Sequence, residues 1–231
     1  LRPVRTKRLR DESHTLGYLR ITQFSESVPK KIEEALQELN EKEVEGIILD
    51  LRNNSGGLVS SGIAVADSFL DEKLIVETKN REGIKDTIIS QKNTFFNGPM
   101  VTIVNKGTAS ASEILAGALQ DNQRSALIGK QTYGKGLIQS LKSLSEDSGI
   151  AITVASYLTP KGNNIQGRGI IPDKTLDFPE GSEIITPALS FSTTVGYIVR
   201  NKWIPVFVDV EEGTYCINEN KIKNLITKKT K

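Results

Sequence analysis

One serine and one lysine within residues 104–139 have the types and spacing of a catalytic pair. Ser110 falls where the apolar run MVTIV gives way to the helical pattern ASEILAGALQ, and Lys135 follows 25 positions later, between two glycines. A strand-to-helix turn can expose a side chain beside unpaired backbone N–H groups, which can bind a developing oxyanion. The pattern predicts a hydroxyl nucleophile at a helix N-terminus with an amine as its base.

The base must be a lysine because the sequence offers little else. A serine hydroxyl needs a base to attack, and the only histidine, His14, lies in a polar stretch before the first predicted strand. A Ser-His-Asp triad is therefore not expected. Lowering the pKa of Lys135 from ~10.4 to ~7–8 requires about 4 kcal/mol, supplied by burial. That burial is predicted from apolar neighbours: Leu127, Ile128, Tyr133, Leu137 and Ile138. Gln139, four positions further on, can orient the amine without adding charge.

Ordinary structural interpretations also stay open at this point. Thr108, Ser110 and Ser112 can each cap the helix, and Glu113 can complete a capping box with Ser110. A Gly-Lys-Gly segment is commonly a turn with a solvated lysine. Spacing alone does not separate these interpretations from the catalytic one.

The segment GTASASEILAGALQD, followed by TYGKG and a glutamine, resembles the carboxy-terminal processing peptidases, also called tail-specific proteases. The resemblance covers roughly residues 16–175. It implies a serine endopeptidase with a Ser-Lys dyad and no metal or cofactor. Ser110 would be the nucleophile, Lys135 the general base and Gln139 its supporting residue. An acidic residue of the family's helix matches Asp121, with a supporting or structural role.

The resemblance also supplies an oxyanion hole. The loop RNNSGG follows the apolar run GIILDL and is by itself ordinary turn chemistry. In the family the matching loop lies beside the nucleophile, and one glycine amide forms half of the hole. The resemblance implies Gly56 for this donor, with Gly57 as the fallback, and the Ala111 amide for the other half. Glycine allows the close backbone approach that such a hole needs.

The elements that must hold these residues alternate between strands and helices. Strands are predicted at 16–22, 46–51 and 99–105, helices at 25–42 and 58–70, and a hairpin or flap at 80–98. Two further strands are expected around the turn SEDSG. The alternation predicts an α/β fold with a parallel sheet. The resemblance implies a crotonase-like α/β spiral.

Composition limits the partners and the location. The net charge of +2 does not suggest nucleic acid, and the single cysteine, Cys216, excludes an internal disulfide. No apolar run is long enough to span a membrane. No signal peptide is visible, although one could precede Leu1. The resemblance implies a peptide or protein C-terminus as substrate, and a periplasmic or other extracytoplasmic location such as the thylakoid lumen. Residues 1–15 are expected to be a solvated basic strand or linker, and the resemblance implies that they could be the remnant of a connection to a PDZ module; membrane contact by them is the minor alternative.

Residues 180–231 do not resemble the usual tail of the peptidase family. ITPALSFSTTV and PVFVDVEEGTYCIN resemble the large domain of pyridoxal-phosphate-dependent amino-sugar aminotransferases, with Phe191 at a cofactor-stacking position. The family's Schiff-base lysine lies outside this piece, so transaminase activity is not expected. The apolar pattern predicts strand, helix, strand and helix. A fusion near Pro179–Gly181, an artefactual join and an unrelated extension are all open.

The sequence therefore predicts a serine endopeptidase that cleaves near protein C-termini. Its peptidase core is expected at 16–179, followed by an aminotransferase-like βαβα segment of different origin at 180–231. Two alternatives are a non-catalytic peptide-binding relative and a fragment of an aminotransferase.

Overall fold

The computed structural model describes residues 2–10, 14–92, 94–145, 148–175, 178–190, 192–214 and 216–230. The chain divides into two compact units, residues 1–176 and 177–231. In chain order the first unit contains β1 (Val4–Arg10), β2 (Thr15–Ile21), α1 (Val28–Glu41), β3 (Gly46–Asp50), α2 (Val59–Asp67), β4 (Leu74–Asn80), β5 (Gly83–Ile89), β6 (Met100–Val104), α3 (Ala111–Asp121), β7 (Ala126–Gly129), β8 (Leu137–Ser145), β9 (Ser148–Leu158) and β10 (Lys174–Thr175). The strands and helices predicted for the peptidase core are therefore confirmed.

The main sheet has six strands in the order β1-β2-β3-β6-β7-β10. β1 and β2 are antiparallel, and every later pair is parallel. Parallel strands need crossover connections, which α1, α2 with the following hairpin, and α3 provide. Because β3, β6 and β7 are neighbours and parallel, the loops after them emerge at one edge of the sheet. Ligand sites of open α/β sheets lie at this carboxyl edge.

Of the solvated strand and the linker expected for residues 1–15, residues 4–10 form the strand. These residues pair with β2 along their whole length, from Val4 opposite Ile21 to Arg10 opposite Thr15. Val4 and Thr6 are half-buried while the arginines and lysine between and after them are exposed. Charged side chains on an edge strand discourage pairing with another chain. The basic character of the segment therefore fits an edge strand.

The helices cover the sheet with apolar side chains. The stripe predicted for α1 is confirmed, because Val28, Ile32 and Leu36 are fully buried and Leu39 is 1% exposed. Each such side chain stabilises the fold by about 1.5–3 kcal/mol relative to exposure. α3 is buried from Ala111 to Leu119. A Cβ added at Gly62 of α2 would lie 3.0 Å from the Ala111 carbonyl oxygen, so this glycine lets the two helices meet closely.

A second sheet of four antiparallel strands has the order β5-β4-β9-β8. β4 and β5 form a hairpin over 74–89, so the hairpin predicted at 80–98 begins earlier in the chain and ends at Ile89, and β8 and β9 flank the predicted polar turn. Among the described strands, β8 lies at the edge of this sheet and pairs with β9. Lys135 lies at the end of the irregular segment that precedes β8.

The second unit contains β11 (Glu183–Pro187), α4 (Ser192–Arg200), β12 (Ile204–Val208) and the short α5 (Glu219–Ile222). The predicted order of strand, helix, strand and helix is confirmed. β11 and β12 are parallel, as the intervening helix requires. Trp203 packs edge-on against Phe178 and Tyr197, with ring centroids 5.4 and 5.9 Å away. Phe191 lies outside the described residues. Within the described ranges, none of the helices combines the length and apolar character that crossing a bilayer requires.

Candidate active site

Ser110 lies at the turn between β6 and α3 in a backbone conformation that few side chains adopt. Its φ is 59° and its ψ is −121°. A non-glycine residue at such angles costs of order 1–3 kcal/mol, and such residues cluster at functional sites. The same kind of strained strand-to-helix turn presents the nucleophile of α/β-hydrolases. The predicted position of Ser110 at a helix N-terminus is confirmed.

The structure distinguishes the three hydroxyl residues of the turn. Thr108 and Ser112 are fully buried. The Thr108 hydroxyl donates to the Leu51 carbonyl at 2.8 Å, and the Ser112 hydroxyl donates to the Asn54 carbonyl at 3.0 Å. Both are committed to holding the loop after β3. Only Ser110 has a partly exposed side chain. A substrate can reach this hydroxyl and not the other two.

Glu113 links the nucleophile turn to the lysine segment. Its carboxylate is fully buried in the first turn of α3. One oxygen, Oε2, accepts from the backbone N–H of Ser110 at 2.9 Å and of Lys135 at 2.8 Å. The other, Oε1, accepts from the Gly134 N–H at 2.6 Å and the Thr132 hydroxyl at 2.5 Å. The capping box with Ser110 is confirmed. Because Glu113 accepts four hydrogen bonds, it also connects the turn at Ser110 to the segment 132–135.

Lys135 is not sheltered, and this expectation is wrong. Its side chain is exposed, and two of its apolar neighbours in sequence, Tyr133 and Leu137, are 69% and 37% exposed. The reason is that Lys135 is held to Glu113 by its backbone N–H, which leaves its side chain exposed. Among the described residues, no hydrogen bond joins the Lys135 amine to Ser110. A neutral amine requires burial, so Lys135 could act as a base only when a bound molecule covers its side chain.

The predicted oxyanion donors differ in availability. The Gly56 N–H donates to the Asn54 side-chain oxygen at 3.0 Å, so it is already engaged. Among the described residues, the N–H groups of Gly57 and Ala111 have no such partner. Gly56 nevertheless lies directly against the nucleophile, since a Cβ added there would meet the Ser110 Cβ at 2.8 Å and the Ala109 carbonyl at 2.9 Å. Its φ is 102°, which only glycine adopts readily. Gly56 is therefore the glycine of this loop in contact with Ser110, and Gly57 lies against Phe24.

Three asparagines hold the glycine loop against the turn at Ser110. Asn53 and Asn105 exchange hydrogen bonds: the Asn53 backbone N–H donates to the Asn105 side chain at 2.9 Å, and the Asn105 amide donates to the Asn53 side chain at 2.9 Å. The Asn54 amide donates to the Ile21 carbonyl at 3.0 Å, and the Asn54 carbonyl accepts from the Ala109 N–H at 3.0 Å. The loops after β3 and β6 are thus fixed to each other by side chains from both.

Asp50 is a buried charge at the end of β3, just before the glycine loop. Its carboxylate accepts from Tyr18 at 2.6 Å, Arg20 at 3.0 Å and Arg52 at 2.7 Å. Burial raises the pKa of Asp50, but hydrogen bonds from Arg52 and Tyr18 and the Arg52 charge outweigh it. The pKa therefore lies below its usual value. The ionised group fixes the start of the loop, a role that sequence reasoning missed.

The two remaining predicted residues lie differently from the dyad. Gln139 is in β8, exposed, four residues past Lys135. Asp121 is the last residue of α3, about 16 Å along the helix from Ser110 at 1.5 Å per residue. Its carboxylate accepts from the Lys161 backbone N–H at 2.9 Å. The structure therefore gives Asp121 a structural contact with the loop after β9 and does not bring it to the nucleophile.

A cavity of about 590 Å³ opens beside the glycine loop. Its lining includes Phe24, Gly57 and Leu58, together with the polar residues between β2 and α1. Leu58 is 44% exposed, so the cavity presents an apolar side chain next to the available Gly57 N–H. Over the described part of the chain, no group of three or more His, Cys, Asp or Glu residues is placed to hold a metal ion.

The architecture is that of an α/β protein with a nucleophile turn at the carboxyl edge of a parallel sheet. The model of peptidase family S41 matches residues 15–176, and the chain belongs to this family. A second model, the DegT/DnrJ/EryC1/StrS aminotransferase family, matches residues 174–231. Both resemblances stated from the sequence are therefore confirmed.

Named relatives agree with the first match. The chain is 49% identical over 176 residues to a carboxyl-terminal-processing protease of Synechocystis, covering 75% of this chain and 41% of that protein. It is 44% identical over 163 residues to a chloroplastic C-terminal processing peptidase of Tetradesmus obliquus, covering 70% and 35%. The solved structure of a photosystem II D1 C-terminal processing protease superposes with a TM-score of 0.72 at 38% identity, covering 78% of this chain and 50% of that one. The chain thus spans about two-fifths of the length of these curated relatives.

Proposed function

We propose that this chain is the core of a serine endopeptidase that cleaves peptide bonds near protein C-termini, with Ser110 as nucleophile and Lys135 as general base. The observation that supports this most strongly is the link through Glu113. One buried carboxylate binds the backbone N–H groups of Ser110 and Lys135, so the two residues are held by the same group. The relatives' names supply the reaction class.

The mechanism begins when an extended peptide covers the Lys135 side chain. Removing water from an amine disfavours its charged form. Neutral Lys135 then takes the Ser110 proton, and the Ser110 Oγ attacks the scissile carbonyl carbon. The N–H groups of Ala111 and of Gly57, or of Gly56 after release from Asn54, bind the oxyanion. Lys135 returns the proton to the leaving amine, and water hydrolyses the acyl-enzyme. Each proton transfer contributes typically 10²–10⁴-fold.

The same proposal covers the fold of the core, the origin of the C-terminal segment and the location of the protein. The peptidase core at 16–179 forms a crotonase-like spiral, to whose six-stranded sheet β1 adds an edge strand. Residues 180–231 are a βαβα segment of different origin. The location is extracytoplasmic, periplasmic or in the thylakoid lumen; the word chloroplastic in the name of the Tetradesmus relative agrees with this. Gln139 supports Lys135 once substrate closes the edge of β8.

Aminotransferase activity is not proposed for the second unit. A Schiff base needs a lysine whose amine is sheltered enough to lose its proton. In the described part of this unit every lysine is exposed, and Lys202 and Lys221 form ion pairs with Glu180 and Asp209. The residues present do not fit the cofactor.

The test is cleavage of a fluorogenic peptide by the full chain. Ser110→Ala and Lys135→Ala are each expected to lower kcat/KM by at least about 10³-fold while the melting temperature stays close to wild type. Lys135→Arg should be equally inactive because arginine does not deprotonate. Lys73→Ala, an exposed lysine before β4, is the matched control and should retain activity. A Lys135→Ala variant with near-full turnover would eliminate the dyad.

A second candidate is a non-catalytic peptide-binding relative. It is favoured by one observation, the exposed Lys135 side chain without a hydrogen bond to Ser110 among the described residues. Such a protein keeps the cleft but never neutralises the lysine. It would bind peptides with Kd unchanged by Lys135→Arg and would cleave none of them.

A further inference from the structure

A small cationic cavity lies near the proposed dyad, and it shares no lining residue with the cavity beside the glycine loop. Its volume is about 290 Å³, and its walls are Lys106, Gln131, Thr132, Tyr133, Gly167 and Arg168. The three segments involved come from the loop after β6, the loop after β7 and the loop after β9. Nothing in the proposed catalytic steps uses it.

The cavity is close enough to Ser110 to contact a bound peptide. The Tyr133 N–H donates to the Thr108 carbonyl at 2.9 Å, two residues before the nucleophile. Lys106 precedes Ser110 by four residues, and four residues of chain span at most about 14 Å. An extended peptide advances about 3.4 Å per residue. A peptide with its scissile bond at Ser110 therefore reaches the cavity within about four residues.

The walls are fixed by hydrogen bonds rather than by the ligand. The Gln131 amide donates to the Arg168 carbonyl at 2.5 Å, and the Gly167 N–H donates to the Gly134 carbonyl at 2.9 Å. The Thr132 hydroxyl accepts from the Ile170 N–H at 2.7 Å and donates to Glu113. A site held in this way loses little freedom when it binds, which favours affinity.

Charge identifies the ligand class. Lys106 and Arg168 are both exposed, and within the described residues neither has an ion-pair partner. No acidic residue lines the cavity. The carboxylate of Glu113 contacts Thr132 from beneath, but it is fully buried and already accepts four hydrogen bonds. Tyr133, 69% exposed, places an aromatic ring beside the two cations. Arginine binds carboxylates through two parallel hydrogen bonds, and lysine adds a point charge.

We propose that the cavity of Lys106, Tyr133 and Arg168 binds a carboxylate of the peptide substrate a few residues from the scissile bond. The carboxylate comes from the peptide's C-terminus or from an acidic side chain near it. This inference rests on the proposed peptide-cleaving function and adds a substrate determinant to it. Such a site favours cleavage at a short distance from a chain end.

The test is peptide binding to the full chain carrying Ser110→Ala, which does not depend on turnover. Three fluorescent peptides share one sequence: a free C-terminal acid, the C-terminal amide, and the amide with one glutamate near its end. Exposed ion pairs are worth about 0.2–1 kcal/mol each, so two cations predict that the acid binds roughly two- to 30-fold more tightly than the amide. This preference should shrink at high ionic strength.

Variants show whether the preference for the acid comes from the cavity itself or from the overall charge of the protein. Lys106→Gln with Arg168→Gln should bring the acid and amide affinities together, whereas the matched control Lys73→Gln should leave the preference intact. Restored tight binding by the glutamate-bearing amide assigns the ligand to an acidic side chain; tight binding by the free acid alone assigns it to the C-terminus. Equal affinity for all three peptides, or a preference that survives the double variant, overturns the inference. Absence of cleavage by the wild-type chain, with the acid preference intact in Ser110→Ala, overturns the proposed protease function instead.

Discussion

Glu113 Oε2 accepts a hydrogen bond from the backbone N–H of Lys135 at 2.8 Å, across 22 positions of sequence. The same oxygen accepts from the Ser110 N–H. The proposed nucleophile and base are therefore positioned by one buried carboxylate. The first prediction concerns that carboxylate.

Glu113→Gln keeps the size of the side chain but replaces one acceptor oxygen with an N–H₂ donor. At least two of the four bound N–H or O–H groups then lose their acceptor. Charge-assisted hydrogen bonds contribute about 1.5–3 kcal/mol each, so kcat/KM should fall roughly 30-fold or more. Peptide cleavage and thermal melting are measured side by side. Glu34→Gln, exposed on α1, is the matched control. Wild-type turnover by Glu113→Gln would show that the link is not needed for positioning.

Backbone strain at Ser110 gives a second prediction. Ser110→Gly relieves a conformation with φ of 59° that Ser110→Ala retains. The strain amounts to about 1–3 kcal/mol, and glycine gives back about 0.4–1 kcal/mol through the freer unfolded chain. Ser110→Gly should therefore be about 1 kcal/mol more stable than Ser110→Ala, although both are inactive. Thermal melting of the two variants measures the difference. A more stable alanine variant would contradict the strained turn.

Contact between Gly56 and the nucleophile gives a third prediction. An alanine Cβ at position 56 meets Ser110 at 2.8 Å, so Gly56→Ala must displace the turn, and kcat/KM should fall about 100-fold. Gly162→Ala is the matched control, because its φ of 78° carries similar strain with nothing within 4 Å of the added Cβ. Similar kcat/KM values for Gly56→Ala and Gly162→Ala would contradict a close contact between Gly56 and Ser110.

A fourth prediction concerns Asp50, whose ionised carboxylate stabilises the start of the glycine loop and should lose this effect in acid. Its folded pKa is below the unfolded value of about 3.9, so on acidification the unfolded chain takes up the proton first. The stabilisation is complete above about pH 4 and is lost as the pH falls through the folded pKa. Asp50→Asn should therefore destabilise the protein by about 2–4 kcal/mol at neutral pH. The gap in melting temperature from wild type should narrow below about pH 4. Glu34→Gln should show no such gap, and a gap that widens in acid would contradict this assignment.

Much of the fold and half of the site could be predicted from the sequence. The apolar stripe of α1, the strand at 46–51 and the helix start after Ser110 follow from local periodicity and turn chemistry. The sheet order then brings the loops after β3, β6 and β7 together, and sequence alone gives that order only through the resemblance. Local patterns therefore located Ser110 and the glycine loop correctly.

The remainder depended on contacts between distant segments. Glu113 is recognisable as a capping residue, but its sequence neighbours do not predict that Thr132, Gly134 and Lys135 donate hydrogen bonds to it. The burial of Lys135 was inferred from neighbours in the chain, yet Tyr133 and Leu137 are exposed. Engagement of the Gly56 N–H by Asn54 is likewise a side-chain contact that a turn motif does not reveal. Proximity in sequence is not proximity in space.

The most direct test of a lysine-activated Ser110 is covalent labelling by a serine-directed phosphonate, followed by mass spectrometry of the full chain. The account predicts one adduct per chain, located on Ser110, and a labelling rate that falls at least about 100-fold in Lys135→Arg, because a charged guanidinium cannot accept the proton. Labelling of Ser110 at the wild-type rate in Lys135→Arg, or an adduct on another residue, would contradict it.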